Sequence, residues 1–292
     1  MLAILATCKT HVTKTPALLA HLCPPMSMAE NQPTKRDDMS QTYVFIHGWG
    51  LNQAIWEPTM AQLPPSVQSV SLNIPGFGGE PWRPQLADFD LCVEQLANTI
   101  LQYSDKPVSL VGWSLGGLLA TAIALRYPER VHCLYTVASS PYFVARPEEN
   151  WPGMDPLMLA RFQRDLEQDF GATVKRFLAV QAMGSPSVRA DIAALQRQVL
   201  SRPPADPEAL RAGLQWLATV DLRAALPVLQ VPLWRAYGRL DSLVPSALAQ
   251  QIHEGESVVF ARSAHAPFML QPQEFLRWLR APEDNSKTEL IR

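Results

Sequence analysis

A serine framed by glycines is the residue of this sequence best suited to covalent chemistry. Ser114 is the centre of a Gly-Trp-Ser-Leu-Gly segment, residues 112–116, which follows an apolar run and precedes an alanine- and leucine-rich stretch. In the order strand, sharp turn and helix, such a segment lifts the serine hydroxyl above a sheet, because the glycines permit a turn too tight for Cβ atoms. The pattern predicts a nucleophile; the alternative is an ordinary turn between a strand and a helix.

His265 and Asp241 are the best candidates for the general base and the acid that orients it. His265 lies in a loop directly after a predicted strand at residues 257–261, on the side where an open α/β sheet places its functional site. Asp241 follows another predicted strand, at residues 233–237, and the order Ser, Asp, His along the chain matches this architecture. We therefore expect a triad in which His265 takes the Ser114 proton and Asp241 fixes the histidine tautomer.

Both assignments have competing interpretations. The alternative for His265 is a structural surface histidine, and the alternative for Asp241 is an N-cap of a helix predicted at residues 246–253. Asp221 is a rival for the acid, but it stands at the end of a long helical region rather than after a strand.

The developing negative charge of an acyl-transfer reaction needs hydrogen-bond donors as well as a triad. The backbone N–H after the nucleophile, that of Leu115, is one predicted donor. The loop after the first strand, residues 47–50, has the sequence His-Gly-Trp-Gly and makes the Trp49 N–H the predicted second donor. His47 is expected to support this loop rather than to act as a base.

The pattern around these residues alternates strands and helices. Short β-branched and aromatic runs predict buried strands, and amphipathic or alanine-rich stretches predict the helices between them. Such alternation is typical of a parallel sheet with helices on both faces. The predicted strands are residues 42–46, 67–74, 108–112, 131–139, 233–237 and 257–261, and the predicted helices of this part are 52–63, 86–103, 115–126, 246–253 and 273–279.

A long helical region interrupts the alternation. It contains no strand signal, and glycines and prolines divide it into four helical stretches. These stretches are residues 155–170, 173–183, 187–201 and 207–220.

The predicted domain organisation follows from this interruption. Residues 40–145 and 222–282 are expected to form one α/β core, and residues 146–221 an inserted four-helix cap. Residues 1–39 show no periodicity and are predicted to be a disordered tail or the product of a start placed too far upstream. Residues 283–292 are predicted to be a C-terminal tail.

Composition excludes several classes of function. The 292 residues carry a formal net charge of −2, which gives no global reason to expect nucleic acid or an anionic membrane as partner. No apolar run approaches the roughly 18 residues of a membrane span. The four cysteines have no metal-ligand spacing, and the glycine-rich loop at residues 75–79 lacks the context of a dinucleotide site. We therefore expect a soluble cytoplasmic protein without metal or cofactor.

Seven stretches carry a family resemblance: HGWGLN at 47–52, GWSLGGL at 112–118, VASSP at 137–141, WPG at 151–153, RFLAVQ at 176–181, TVDLR at 219–223 and AHAPF at 264–268. With them the sequence resembles the pimeloyl-acyl carrier protein methyl ester esterases, a carboxylesterase family of biotin synthesis within the α/β-hydrolase superfamily, over nearly all of residues 42–280. The superfamily alone shares only the first two stretches and the last, so the helical region narrows the resemblance.

The resemblance implies an α/β-hydrolase fold and hydrolysis of the methyl ester that masks the distal carboxyl of a pimeloyl chain on acyl carrier protein. By position it places Ser114, Asp241 and His265 in the triad and Trp49 and Leu115 at the oxyanion site. It also places a short helical segment along the acyl chain, for which a core-facing helix surface is the alternative. The residues of this segment are Phe177, Leu178, Ala179, Val180 and Gln181.

Charge indicates where an acidic carrier protein would bind. Residues 171–202 carry five basic side chains and one acidic side chain, a net charge of +4. Acyl carrier proteins are acidic, so a complementary docking surface should be basic. We expect the two middle helices of the cap to face the carrier, with Lys175, Arg176 and Arg189 as docking residues; the alternative is that these are ordinary solvated helix faces.

The sequence departs from the superfamily pattern at two places, and two alternative functions remain open. Asn73 stands where the superfamily usually has Asp, and the antiparallel strands expected before Thr42 are not evident. A broad-specificity short-chain carboxylesterase is the nearest alternative function, because the same site would hydrolyse small esters. A carbon–carbon bond hydrolase is the second alternative, because it shares the triad and the cap. A non-catalytic binding module would be expected to lack a triad residue, and all three are present in this sequence. The expected oligomeric state is a monomer.

Overall fold

A six-stranded parallel sheet forms the centre of the part of the protein that the structure describes. The structure is a computed structural model that describes residues 41–181, 183 and 188–282; the predicted tails at 1–39 and 283–292 lie outside the described residues. The strands are β1 (Thr42–Ile46), β2 (Gln68–Leu72), β3 (Val108–Trp113), β4 (Val131–Val137), β5 (Leu233–Gly238) and β6 (Glu256–Phe260). Their order is β2-β1-β3-β4-β5-β6, and every adjacent pair is parallel.

Both faces of this sheet are covered. Every residue of β1 and β3 is buried, and alternate residues of β1 contribute to two different hydrophobic clusters. Val44 and Ile46 belong to one cluster, and Tyr43 and Phe45 belong to the other. This arrangement explains why the central strands are continuous apolar runs, because a parallel sheet buried on both sides has no solvent face for polar residues.

Helices surround the sheet and also form an insertion between β4 and β5. The helices are α1 (Glu57–Met60), α2 (Phe89–Ile100), α3 (Leu115–Arg126), α4 (Pro156–Gln168), α5 (Phe170–Gln181), α6 (Val188–Leu200), α7 (Pro207–Thr219), α8 (Leu248–Gln251), α9 (Pro267–Leu270) and α10 (Pro272–Arg280). We call α4 to α7 the helical insertion. Among the described residues, no helix is long and apolar enough to cross a membrane.

Two helices of the insertion begin with the same local signal. Asp155 precedes Pro156 at the start of α4, and Asp206 precedes Pro207 at the start of α7; each aspartate side chain accepts a hydrogen bond from the first turn of its helix. An aspartate N-cap followed by proline is favourable because the carboxylate satisfies free N–H groups and proline lacks the N–H that would be unpaired there.

Several helices are shorter than the sequence pattern predicts; for example, the helix predicted at 246–253 is the single turn of α8. The predicted helix at 52–63 is a 3₁₀ helix, Gln53–Trp56, followed by the single turn of α1, because Pro58 has no N–H to continue α-helical hydrogen bonds. The predicted helix at 86–103 begins only after Asp88, whose carboxylate accepts hydrogen bonds from the N–H groups of the first turn of α2.

Helix α3 lies unusually close to the sheet, at the point where β3 ends. A Cβ atom at Gly112 would be 2.4 Å from the Gly116 carbonyl oxygen and 2.5 Å from the Gly117 Cα. A Cβ atom at Gly116 would be 2.4 Å from the His47 carbonyl oxygen, at the end of β1. Only glycine fits at these positions, since backbone atoms cannot rotate away as side chains do.

This close approach predicts the effect of the smallest possible substitution. Gly112→Ala should lower the free energy of unfolding by about 1–3 kcal/mol, because its methyl group overlaps backbone on the first turn of α3. Gly171→Ala is the control: Gly171 is exposed near the start of α5, and a Cβ atom there would meet only the Asp169 carboxylate at 3.6 Å. Urea unfolding should find this control as stable as the wild type or more so; equal stabilities of the two variants would contradict the packing argument.

Candidate active site

Ser114 occupies a strained turn between β3 and α3. Its backbone has φ 54° and ψ −120°, outside the conformations that a serine usually adopts. Neighbouring groups hold it there: the Ser114 N–H donates to the Val137 carbonyl oxygen at 2.9 Å, and the Ser139 hydroxyl donates to the Ser114 carbonyl oxygen at 2.8 Å. Such strain persists only where surrounding contacts determine it, and it is common at functional sites.

Asp241 and His265 form a buried pair. The His265 Nδ1 lies 2.8 Å from the Asp241 Oδ2, and the two residues are 1% and 8% exposed. The Asp241 Oδ1 also accepts hydrogen bonds from the N–H groups of Leu243 and Val244. The carboxylate therefore orients the histidine and closes its own turn. It does not cap the helix predicted at 246–253, because α8 (Leu248–Gln251) begins only after Ala247 and has no side-chain cap.

The second imidazole nitrogen of His265, Nε2, is not bonded to Asp241. Within the described part of the chain, the buried His265 Nε2 has no hydrogen-bond partner. An Nδ1–H donated to Asp241 leaves Nε2 as the unprotonated nitrogen, which is the state that a general base requires. Asp221, the rival acid, instead forms an ion pair with Arg223 at 2.6 Å.

The loops that carry Asp241 and His265 are bonded to each other. The Leu240 N–H donates to the Ser263 carbonyl oxygen at 3.0 Å. Gly238, the last residue of β5, lies so close to the histidine loop that a Cβ atom would be 1.9 Å from the Ala264 carbonyl oxygen. Because β5 and β6 are parallel neighbours, the loops that follow them emerge at the same edge of the sheet.

The loop after β1 lies against the Ser114 turn. A Cβ atom at Gly48 would be 3.1 Å from the Ser114 Cβ, so Trp49 follows a residue that touches the turn. Among the described residues, the backbone N–H groups of Trp49 and Leu115 donate to no backbone carbonyl outside the helices and strands. Two N–H groups without such an acceptor are what the predicted oxyanion site requires.

His47 supports this loop as a neutral imidazole. Its Nε2 accepts a hydrogen bond from the Ile74 N–H at 3.1 Å, and its Nδ1 donates to the Gly48 carbonyl oxygen at 2.8 Å. Burial lowers the pKa of His47 from 6.5 to about 4, although the bond to Gly48 opposes this shift. The supporting role expected for His47 agrees with these contacts.

The side chain of Trp49 is fixed by the helical insertion. Its indole N–H donates to the Leu210 carbonyl oxygen of α7 at 2.9 Å, and its ring meets the Phe177 ring edge-on with centroids 4.7 Å apart. Gly213 of α7 permits this contact, since a Cβ atom there would lie 2.6 Å from Trp49 Cδ1 and 3.2 Å from the Leu115 side chain. The two predicted oxyanion residues are therefore neighbours beneath α7.

The segment predicted to line an acyl chain is the C-terminal half of α5. Phe177, Leu178 and Gln181 are buried, and Ala179 and Val180 are partly buried. Leu178 belongs to the same hydrophobic cluster as Trp113, which lies beside Ser114. Both polar atoms of the Gln181 side chain are buried and have no partner among the described residues, which is unusual for a residue that only fills a core.

The predicted carrier-docking residues are exposed on the helical insertion. Lys175 and Arg176 lie on α5, and Arg189 lies on α6. Arg176 forms an ion pair with Asp165 of α4. Part of the positive charge counted along the sequence is therefore compensated within the insertion.

Sequence reasoning missed two residues that touch the site. Trp113 was not singled out, although its indole N–H donates to the His265 carbonyl oxygen at 2.7 Å. Gly213, whose missing side chain accommodates Trp49, was also not singled out. The only signals were the position of Trp113 next to the serine and an isolated glycine within a predicted helix. Among the described residues there is no cluster of three or more potential metal ligands.

Comparison with known proteins defines the class to which this fold and site belong. The family model of the alpha/beta hydrolase fold matches residues 43–272. An esterase from Exiguobacterium antarcticum has the same fold, with a TM-score of 0.74 and 22% identity over 84% of this chain and 92% of that one. The protein is an α/β hydrolase, and the predicted fold class is confirmed.

Relatives of higher sequence identity identify the family within the α/β hydrolases. The chain is 43% identical over 240 residues to the pimeloyl-[acyl-carrier protein] methyl ester esterase of Vibrio vulnificus, covering 81% of this chain and 91% of that protein. It is 46% identical to the protein of the same name from Photobacterium profundum, over 81% of this chain and 92% of that protein. The chain belongs to this family of carboxylic ester hydrolases, as its sequence resemblance indicated.

The burial of neutral His47 predicts a pH-dependent stability. The unfolded histidine binds a proton as the pH falls through 6.5, whereas folded His47 stays neutral down to about pH 4. The wild type should therefore lose about 2–3 kcal/mol of unfolding free energy through this residue between pH 7 and pH 4. His47→Gln should show a shallower loss in urea unfolding, because the amide accepts a hydrogen bond without titrating.

The matched control is His132→Gln, which replaces an exposed histidine of β4. It should keep the wild-type dependence of stability on pH. If His47→Gln and His132→Gln follow the same curve as the wild type, His47 is not the buried neutral group that the contacts describe.

Proposed function

We propose that this enzyme hydrolyses the methyl ester of pimeloyl-acyl carrier protein and so frees the distal carboxyl group for biotin synthesis. The observation that carries the proposal is the buried Asp241–His265 pair at the sheet edge where the strained Ser114 turn also lies. The names of the relatives support the substrate, because they agree with one another at 43–46% identity over most of the chain.

In the proposed reaction, Ser114, His265 and Asp241 act as the triad. The Ser114 Oγ attacks the ester carbonyl carbon while the His265 Nε2 takes its proton, and the imidazolium that forms is stabilised by Asp241. Collapse of the tetrahedral intermediate breaks the bond to the methoxy oxygen, which leaves as methanol with the proton from His265. Water then attacks the acyl-enzyme by the same route and releases the carboxylate and Ser114.

The N–H groups of Trp49 and Leu115 are the proposed oxyanion donors. They sit on two segments that the Gly48 contact brings together, one after β1 and one at the start of α3. Each donor is worth on the order of 3 kcal/mol of barrier in comparable enzymes, so their position matters as much as the triad.

The proposed acyl-chain wall is the segment from Phe177 to Gln181. Phe177 contacts Trp49, and the backbone carbonyl of Gln181 accepts a hydrogen bond from the His265 N–H at 3.3 Å. The segment thus reaches both the oxyanion loop and the base. A pimeloyl chain is apolar between its two ends, which suits a wall of Phe, Leu, Ala and Val with one amide at its end.

We further propose that the protein is a cytoplasmic monomer with a catalytic core and a cap. Residues 40–145 and 222–282 would form the catalytic core, and 146–221 the cap. All proposed catalytic groups come from one chain, which suits a monomer. Cys92 and Cys133, the cysteines among the described residues, form no disulfide, which suits a reducing cytoplasm.

Removal of the nucleophile tests both the mechanism and the substrate. Ser114→Ala should lower kcat/KM by about 10³-fold or more for pimeloyl-carrier methyl ester and for a short p-nitrophenyl ester alike. Ser140→Ala is the control, since its buried hydroxyl bonds to the backbone of Tyr142 instead. Full activity of Ser114→Ala would disprove the mechanism. Turnover of the small ester alone by the wild type would favour a broad-specificity short-chain carboxylesterase.

We also propose that Lys175, Arg176 and Arg189 bind the acidic carrier. All three are exposed, and they lie on neighbouring helices, α5 and α6, of the helical insertion. Positive charge at a docking surface chiefly accelerates association and fixes orientation. Arg176 would exchange its partner Asp165 for a carrier carboxylate, so its contribution should be smaller than that of a cation without a partner.

Charge reversal tests this docking surface. Arg189→Glu should lower kcat/KM for the carrier-bound ester by about 10-fold at low salt, and Arg176→Glu should lower it by a smaller factor; both should affect a small free ester much less. Arg277→Glu on α10 makes the same charge change on an exposed residue outside the insertion and should affect neither substrate. Equal effects of the insertion reversals on both substrates would contradict carrier docking.

A further inference from the structure

The residue that precedes the nucleophile is bonded to the residue proposed as the base. Trp113 is the last residue of β3, and its side chain is fully buried. Its indole N–H donates to the His265 carbonyl oxygen at 2.7 Å across 152 residues of sequence. The Trp113 and His265 rings also lie close, with centroids 5.6 Å apart.

The other side of the His265 backbone is held by the helical insertion. The His265 N–H donates to the Gln181 carbonyl oxygen, at the end of α5, at 3.3 Å. The side chain is held by Asp241 at 2.8 Å. The bond from Trp113 is the shortest of the three, and it alone comes from the strand that carries Ser114.

We infer that Trp113 is a positioning residue that sets the distance between the nucleophile and the base. The inference rests on the proposed roles of Ser114 and His265. Trp113 is joined covalently to Ser114 and by its indole N–H to the backbone of His265, so one rigid ring spans the two groups that exchange a proton.

We expect the hydrogen bond from Trp113 to His265 to affect kcat, because it fixes the loop that carries the proposed base. His265 lies in the loop between β6 and α9, which is not part of a hydrogen-bonded ladder. Proton transfer needs heavy atoms within about 3 Å, and a displacement of about 1 Å can cost up to 100-fold in rate. Without the indole N–H, the buried His265 carbonyl oxygen would lose a donor, and the loop would move to find another.

The chain contains a matched control in the same aromatic cluster. Trp56 is fully buried, and its ring lies 6.5 Å from that of Trp113 and 4.3 Å from that of Phe268. Phe268 also contacts Trp113. The Trp56 indole N–H, however, has no hydrogen-bond partner among the described residues. Replacing either tryptophan by phenylalanine removes similar volume, but only Trp113→Phe removes a bond to His265.

The experiment compares the steady-state kinetics of these two variants on a p-nitrophenyl ester. Trp113→Phe should lower kcat by about 10-fold and leave KM within about 2-fold, because it misplaces the base without removing a substrate contact. Trp56→Phe should keep kcat within about 2-fold of the wild type. Thermal unfolding of both variants accompanies the kinetics, so that a loss of folded protein is separated from a loss of rate.

A double-mutant cycle with His265→Ala decides whether Trp113 acts through the base. In the His265→Ala background, Trp113→Phe should have no further effect on residual kcat, since there is no base to position. Multiplicative losses would mean that Trp113 acts elsewhere, and they would overturn the inference. If Trp113→Phe folds poorly, 3-benzothienylalanine at position 113 keeps the ring shape and removes only the N–H, and it should show the same fall in kcat.

The same data separate this inference from the proposed function. An active His265→Ala enzyme would disprove the proposed base itself. An inactive His265→Ala enzyme together with wild-type kcat for Trp113→Phe would leave the proposed function in place and overturn only the positioning role.

Discussion

The close approach of α3 to the end of β3 is the constraint on which the rest of the site depends. Gly112 and Gly116 allow backbone to meet backbone there, and the resulting turn forces Ser114 into a positive φ. Because β1, β3, β5 and β6 are parallel, the loops that follow β1, β5 and β6 reach the same edge of the sheet as this turn. The geometry of the sheet thereby brings the loops that carry the proposed oxyanion donor, acid and base to the serine.

The helical insertion contacts the candidate active site through backbone carbonyl groups as well as through apolar side chains. The indole N–H of Trp49 donates to the Leu210 carbonyl oxygen of α7. The His265 N–H donates to the Gln181 carbonyl oxygen of α5. Both bonds join the insertion to a loop that carries a proposed catalytic group. A change in the position of the insertion would therefore act on the oxyanion loop and on the base together.

The sheet and the order of the proposed triad could be predicted from sequence because both have local signals. Buried strands are apolar runs, the turn at Ser114 has glycines at fixed spacing, and His265 and Asp241 each follow such a run. The bond between Trp113 and His265 had no such signal, since it joins residues 152 positions apart. The start of α2 was predicted three residues too early, because its amphipathic pattern extends into the 3₁₀ helix Pro84–Ala87, whereas the N-cap at Asp88 decides the boundary.

The glycines around the site also indicate where substitutions could change the range of esters that the enzyme accepts. At Gly112, Gly116 and Gly238 an added methyl group would overlap carbonyl oxygens, so the sheet edge tolerates no variation in side-chain volume. At Gly213 the nearest atoms belong instead to the side chains of Trp49 and Leu115. Because Trp49 is itself held by Leu210 and Phe177, an added methyl group at Gly213 would not fit easily either. A laboratory search for new acyl specificity would therefore begin with the partly buried Ala179 and Val180 of α5 and leave these glycines unchanged.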